Sequence, residues 1–107
     1  MIEMTLTQSW PTDRDRRYHH KGTVTDVTSD AVRVPAVGGD VAVSVMPGTS
    51  ATVQFTVSNY ADIEAGTATW HDWPKGAVTA KASDAVSGAV SALRLVSTGA
   101  SSWEISA

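Results

Sequence analysis

The chain has no cysteine among its 107 residues, which excludes disulfides, thiolate zinc centres and cysteine nucleophiles together. No apolar run approaches the ~18 residues of a membrane span. Met1-Ile2-Glu3-Met4 lacks both the basic region and the apolar run of a signal peptide. The expectation is an unprocessed, soluble product with no membrane partner. Charge is also sparse, at 18% of residues against roughly 25% in ordinary soluble domains. The net charge of −3 is unevenly spread: Asp13 to Lys21 carries four basic and two acidic side chains, and residues 22–107 carry four basic and eight acidic. A weakly acidic body lacks the broad basic surface that phosphate-dominated binding requires, so no nucleic-acid partner is expected. Val41 to Tyr60 contains no charge at all, which predicts that part of it is covered by another chain.

Leucine is scarce, while valine and threonine dominate. β-Branched side chains already have a restricted χ1 and suit a pleated, half-buried surface. Their spacing agrees. Val41, Val43 and Val45 alternate with Ala42, Ser44 and Met46, and Val53, Phe55 and Val57 alternate with Thr52, Gln54 and Thr56. A period of two sends one set inward and the other outward. Turn signals punctuate the runs at Gly38-Gly39-Asp40, Pro47-Gly48, Glu64-Ala65-Gly66, Pro74-Lys75-Gly76 and Thr98-Gly99-Ala100. Short, regularly punctuated strands predict an all-β fold, a β-sandwich or jelly-roll-like barrel of about eight strands. The strands are expected near 4–9, 22–28, 31–36, 41–46, 51–58, 66–72, 76–80, 91–97 and 102–106, with the last two forming a hairpin. Ala82 to Leu93 has near-helical apolar spacing, but Gly88 and three serines argue against a helix, and a loop is expected there. Pro11 interrupts the first apolar run and the charged stretch after it does not alternate. Residues 1–21 therefore read as an extended N-terminal arm and residues 22–107 as the β-sandwich domain.

Motifs for chemistry are missing. His19-His20 with His71 and Asp72 is the one metal-like set, but neighbouring residues on an extended chain point to opposite sides, and no HxH or HxxxH spacing occurs. There is no Gly-x-Ser-x-Gly elbow, phosphate-binding loop or dinucleotide fingerprint. The expectation is a protein that is not an enzyme and uses no metal or other cofactor. Four of the seven aromatic residues are tryptophan. In Trp70-His71-Asp72-Trp73-Pro74 the two indoles are three apart, so a regular strand cannot turn both inward. One belongs in the core and the other at the surface or an interface. A stacking platform for sugar rings is the alternative use of an exposed indole.

The run Ala51-Thr52-Val53-Gln54-Phe55-Thr56-Val57-Ser58, then Ala65-Gly66-Thr67-Ala68-Thr69-Trp70-His71-Asp72-Trp73, Ala92-Leu93-Arg94-Leu95 and Trp103-Glu104-Ile105, resembles small β-rich structural proteins of tailed bacteriophages. The likeness covers roughly the C-terminal half. It implies a virion protein, a capsid decoration (cement) protein made in the host cytoplasm and carried on the outer capsid surface. Its implied partners are the major capsid protein and further copies of itself, as a dimer or trimer. A phage tail, neck or fibre accessory is the neighbouring reading, and a carbohydrate-binding β-sandwich module the one from another class. Buried aromatics and arginines dominate interfaces. On that ground Trp10, Tyr18, Trp70 and Trp73 are expected to anchor the interface, with Arg14, Arg16 and Arg17 pairing with carboxylates on the shell or a neighbouring copy.

Overall fold

Alternation over Val41–Met46 is realised as the sequence dictates: Val41, Val43 and Val45 are buried and Ala42 and Met46 exposed. The structure is a computed structural model and describes residues 1–8, 16–35, 40–87 and 90–107, with the side chains at 7, 8, 16 and 17 outside the description. Trp10 and Arg14 also lie outside the described residues. The strands are β1 (Ile2–Glu3), β2 (Thr5–Gln8), β3 (Arg16–Thr25), β4 (Val32–Arg33), β5 (Val41–Met46), β6 (Ser50–Thr56), β7 (His71–Val78), β8 (Ala82–Val86), β9 (Ala92–Thr98) and β10 (Ala100–Ser106). One short helix, α1 (Tyr60–Ala65), precedes β7.

These strands form two five-stranded sheets, ordered β1-β4-β9-β6-β7 and β2-β3-β10-β5-β8. They are called sheet A and sheet B below. Packed together, they make a sandwich-like fold without a closed barrel, so the barrel alternative is set aside. Valines from both sheets meet between them with Leu93, Leu95, Ile105, Trp73 and Trp103, all nearly or fully enclosed. Burial of this apolar surface is the main stabilising term.

Four sequence expectations change. The described part of residues 1–21 is woven into the body. β1 runs parallel to β4, with Ile2 opposite Val32. Met4 is buried in the core, and β2 and β3 pair antiparallel, with Leu6 opposite Tyr18. β3 continues through the supposed boundary at 21, so deleting residues 1–21 would cut a strand rather than remove an appendage. Second, Ala82–Val86 is a strand paired with β5, not a loop. Its small alanine and serine side chains hide a two-residue period beneath an accidental helical one. Third, of the residues expected in a strand at 66–72, only His71 and Asp72 are in one, as the start of β7, while 66–70 form the C-cap of α1 and the connection after it. Asn59 caps α1 by accepting the Asp62 N–H at 2.9 Å. Fourth, β9 and β10 are consecutive but lie in different sheets. Leu95 and Trp103 therefore enter the core from opposite sheets, not along a hairpin.

The turn that carries β9 over to β10 belongs to a corner where three crossings meet. Asp26, following β3, has a positive φ of 54°, which a short polar side chain tolerates. Its backbone N–H donates to Gly99 O at 3.2 Å, and its Oδ1 accepts the Gly99 N–H at 2.7 Å. The Thr49 N–H, from the β5–β6 crossing, donates to Thr98 O at 2.9 Å. Inside the corner, Gly48 N–H donates to Ser101 Oγ at 3.0 Å, and Ser101 Oγ lies 2.8 Å from Ser97 Oγ. Ser97 Oγ lies 2.7 Å from Gly99 O and 3.0 Å from Val24 O. Each hydroxyl has one proton. Every donor is used when the chain runs from Gly48 N–H to Ser101, from Ser101 to Ser97, and from Ser97 to a backbone carbonyl. A fully satisfied buried relay of this kind fixes the register of all three crossings.

His20 faces inward from β3 and meets Trp103 edge-on, with ring centroids 5.9 Å apart and planes at 78°. Burial, and secondarily the neighbouring His19, hold its pKa below the usual 6.5. The unfolded chain therefore binds the proton more readily than the native one. This contribution to stability is complete above about pH 6.5 and is lost as pH falls through the lower native value. Thermal melts from pH 8 to pH 5 check this: the melting temperature falls on acidification, and His20→Gln falls by less. An equal fall in both proteins would assign the effect elsewhere.

Candidate functional site

Period two places Arg94 opposite to its buried neighbours Leu93 and Leu95, on the outer face of sheet A. Gln54, its cross-strand partner on β6, lies on the same face, and Asp72 of β7 lies opposite Gln54. The three side chains connect in sequence. Arg94 Nε donates to Gln54 Oε1 at 2.8 Å, and Gln54 Nε2 donates to Asp72 Oδ1 at 2.9 Å. The guanidinium carbon stands 4.3 Å from the centre of the Trp70 ring, in stacking range. Trp70 is half-buried and is delivered by the connection between α1 and β7. Partial burial lowers the pKa of Arg94, which nonetheless stays cationic at any physiological pH.

A second stack lies on the same face. Arg33 of β4 is opposite Ala92, two residues before Arg94. Its guanidinium carbon lies 4.3 Å from the centre of the Tyr60 ring, and its Nη1 lies 3.4 Å from Glu3 Oε1. Tyr60 donates its hydroxyl proton to Val34 O at 3.0 Å. The contact with Tyr60 raises the arginine pKa, and the Glu3 charge adds to that. Ala92 and Thr56, paired on this face, are fully buried.

Beside the Arg94 stack is an open cleft of about 420 Å³, lined by Ser29, Asp30, Ile63, Gly66, Trp70 and Arg94 among others. The outer face of sheet B differs in character. Its shallow depression of about 300 Å³ is formed largely by Ala42, Ser44, Ser83, Ala85 and Ser106. At its border Glu104 lies 3.6 Å from His19 Nε2 and 3.7 Å from Lys21 Nζ. Such exposed pairs contribute little to stability.

The structure separates the residues that sequence reasoning grouped as interface anchors. Trp73 is only 2% exposed and donates its indole N–H to Gly76 O at 2.6 Å, so it is a core residue without a surface to offer. Tyr18 is half-buried against the core from sheet B, and its backbone exchanges two hydrogen bonds with Ala107 at 2.8 and 2.9 Å. Arg16 and Arg17 are ladder residues of β3 opposite Gln8 and Thr7. Among the described residues, Trp70 alone of the expected aromatics stands at an open cleft, and the sequence does not single out its stacking partner Arg94. The signal for Arg94 was present: a lone cation between two inward leucines must face outward. Its meeting with Gln54 and Trp70 depends on strand order, which alternation does not specify. Among the described residues, no three histidine or carboxylate side chains come together as a metal site would require. Comparison with protein-family models, with curated proteins and with solved structures finds no match.

Proposed function

We propose that this protein is a structural virion component, a capsid decoration protein that binds the outer shell of a tailed bacteriophage and bridges neighbouring major capsid subunits. The observation that carries the reading is the Trp70–Arg94 stack, a pre-ordered aromatic and arginine pair at an open cleft on a rigid sheet. Large aromatics and arginines of this kind contribute most of the binding energy at protein interfaces. The partner proposed is the one implied by the resemblance of the C-terminal half to small phage structural proteins. A sandwich with a low charge density suits a role in which many identical copies hold a shell. Each added contact on a linked lattice acts at high effective concentration, so weak individual sites suffice. Self-association into a dimer or trimer over a junction between shell subunits belongs to the same proposal.

A carbohydrate-binding module would stack sugar on a free indole face. One face of Trp70 is taken by Arg94, and Trp73 is enclosed, so the observations favour the protein-binding reading. Quantitative mass spectrometry of purified particles tests it. Copy numbers comparable to the major capsid protein support decoration, and a count tenfold or more lower moves the protein to the tail or neck. Absence from particles overturns the virion reading.

A further inference from the structure

We propose that the Arg94 guanidinium, held against Trp70, is a receptor for a single carboxylate of a partner protein. The side chain to be captured is an aspartate or glutamate on the shell subunit, and that identification of the partner rests on the decoration reading above.

The argument starts from how Arg94 is held. Its Nε–H is committed to Gln54, Gln54 is in turn fixed by Asp72, and the guanidinium plane is supported by Trp70. Among the described residues, none accepts a hydrogen bond from the four N–H groups on the two Nη atoms, and Arg94 lines the cleft. Among the described residues, no carboxylate forms an ion pair with this guanidinium; the ion pairs there join Glu104 to His19 and Lys21, and Glu3 to Arg33. A guanidinium whose rotamer is already fixed loses little entropy on binding, and its two Nη atoms match the two oxygens of a carboxylate.

The same face contains a completed version. Arg33 stacks on Tyr60 at the same 4.3 Å distance, and there the carboxylate is supplied within the chain by Glu3, 3.4 Å away. Arg94 repeats that stack with the acid missing. Burial without a counter-charge lowers the Arg94 pKa, whereas the contact with Tyr60 and the charge of Glu3 raise that of Arg33. The two sites therefore differ by one acidic group, which a partner can bring. Asp30 on the cleft wall and Asp72 behind Gln54 oppose a polyanion. A lone carboxylate on a protein surface meets less repulsion than a nucleic-acid backbone would.

The test uses the full chain, labelled with nitrogen-15, titrated with sodium acetate against sodium chloride at matched ionic strength. The Arg94 Nε–H and Trp70 indole N–H resonances are expected to move along one saturating curve, with a midpoint on the order of 10–100 mM. Arg94→Gln is expected to abolish the Trp70 response while leaving the rest of the spectrum in place. Parallel titrations use inorganic phosphate and a neutral methyl glycoside. Phosphate binding tenfold more tightly than acetate would overturn the carboxylate assignment, and a saturating glycoside response would replace it with a sugar site. Non-saturating acetate shifts, or equal shifts in Arg94→Gln, would overturn the site altogether. In assembled particles, Arg94→Gln is expected at one tenth or less of the wild-type copy number. Equal incorporation of the variant overturns the shell partner. Absence of the wild-type protein from particles overturns the decoration reading, and the acetate titration then still decides whether Arg94 receives a carboxylate.

Discussion

Trp73→Ala is expected to lower the unfolding free energy by about 4 kcal/mol, while Trp70→Ala lowers it by about 1 kcal/mol or less. The two indoles are three residues apart and chemically identical, so the difference isolates their surroundings. Trp73 is 2% exposed in the cluster between the sheets, and its N–H is spent on Gly76 O. Truncation opens a cavity that neighbours fixed in two sheets cannot collapse into, and Gly76 O loses its donor. Trp70 loses only its half-buried stack on Arg94. Urea denaturation of both variants provides the comparison, read as midpoint shifts at constant m-value. Trp73→Phe should fall between them, since it keeps most of the volume and loses the hydrogen bond. Equal destabilisation by the two alanine variants would contradict the burial assigned to Trp73.

Gly48→Ala is expected to destabilise by about 3 kcal/mol, near the top of the range for over-packing. A Cβ at this position would stand 2.5 Å from both the backbone N and O of Ala100. Those atoms cannot rotate aside as a side chain would. They begin β10 and follow Gly99, which Asp26 holds by two hydrogen bonds. Relief would shift the β5–β6 crossing away from β10 and misalign the Gly48 N–H with Ser101. Gly66→Ala is the control. That residue has a positive φ of 77° at the end of α1, but no atom lies within 4 Å of its added Cβ, so only the local backbone term of about 1 kcal/mol applies. Calorimetric melts of the two variants should differ by several degrees. If Gly66→Ala were the more damaging, the corner would not be the tight element described.

The strands most legible from sequence are those with β-branched inward positions. Val41, Val43 and Val45 announce both their strand and its buried face, and Leu93 and Leu95 do the same for β9. The period of two is a local property, so it survives without knowledge of neighbours. What it lacks is the identity of the neighbour. Thr98-Gly99-Ala100 reads as a hairpin turn, and a tight turn it is, but the chain leaves it in the other sheet. Local chemistry is nearly the same for a turn within a ladder and a turn across a sandwich. β8 was lost because Ala82, Ser83 and Ala85 carry too little hydrophobic contrast to show a face. Of the candidate site, Trp70 was visible through its spacing from Trp73. Gln54 and Arg94 were not, because they come together only through the β6–β9 pairing.

Strand order also carries a consequence for how the polypeptide reaches this state. β10, the last of the ten described strands in chain order, lies at the centre of sheet B between β3 and β5, and β9 holds the centre of sheet A. No nascent chain can close either sheet until most of the sequence has emerged from the ribosome. Bringing such distant segments together before any ladder rewards them makes folding slow, in the millisecond-to-second regime of β-sandwiches. Until Ser106 is free, β3 and β5 expose the edges that β10 will later cover, and two such edges from separate chains can pair with each other. Yield from a cell should therefore depend on synthesis rate and temperature more steeply than the stability of the finished molecule would indicate.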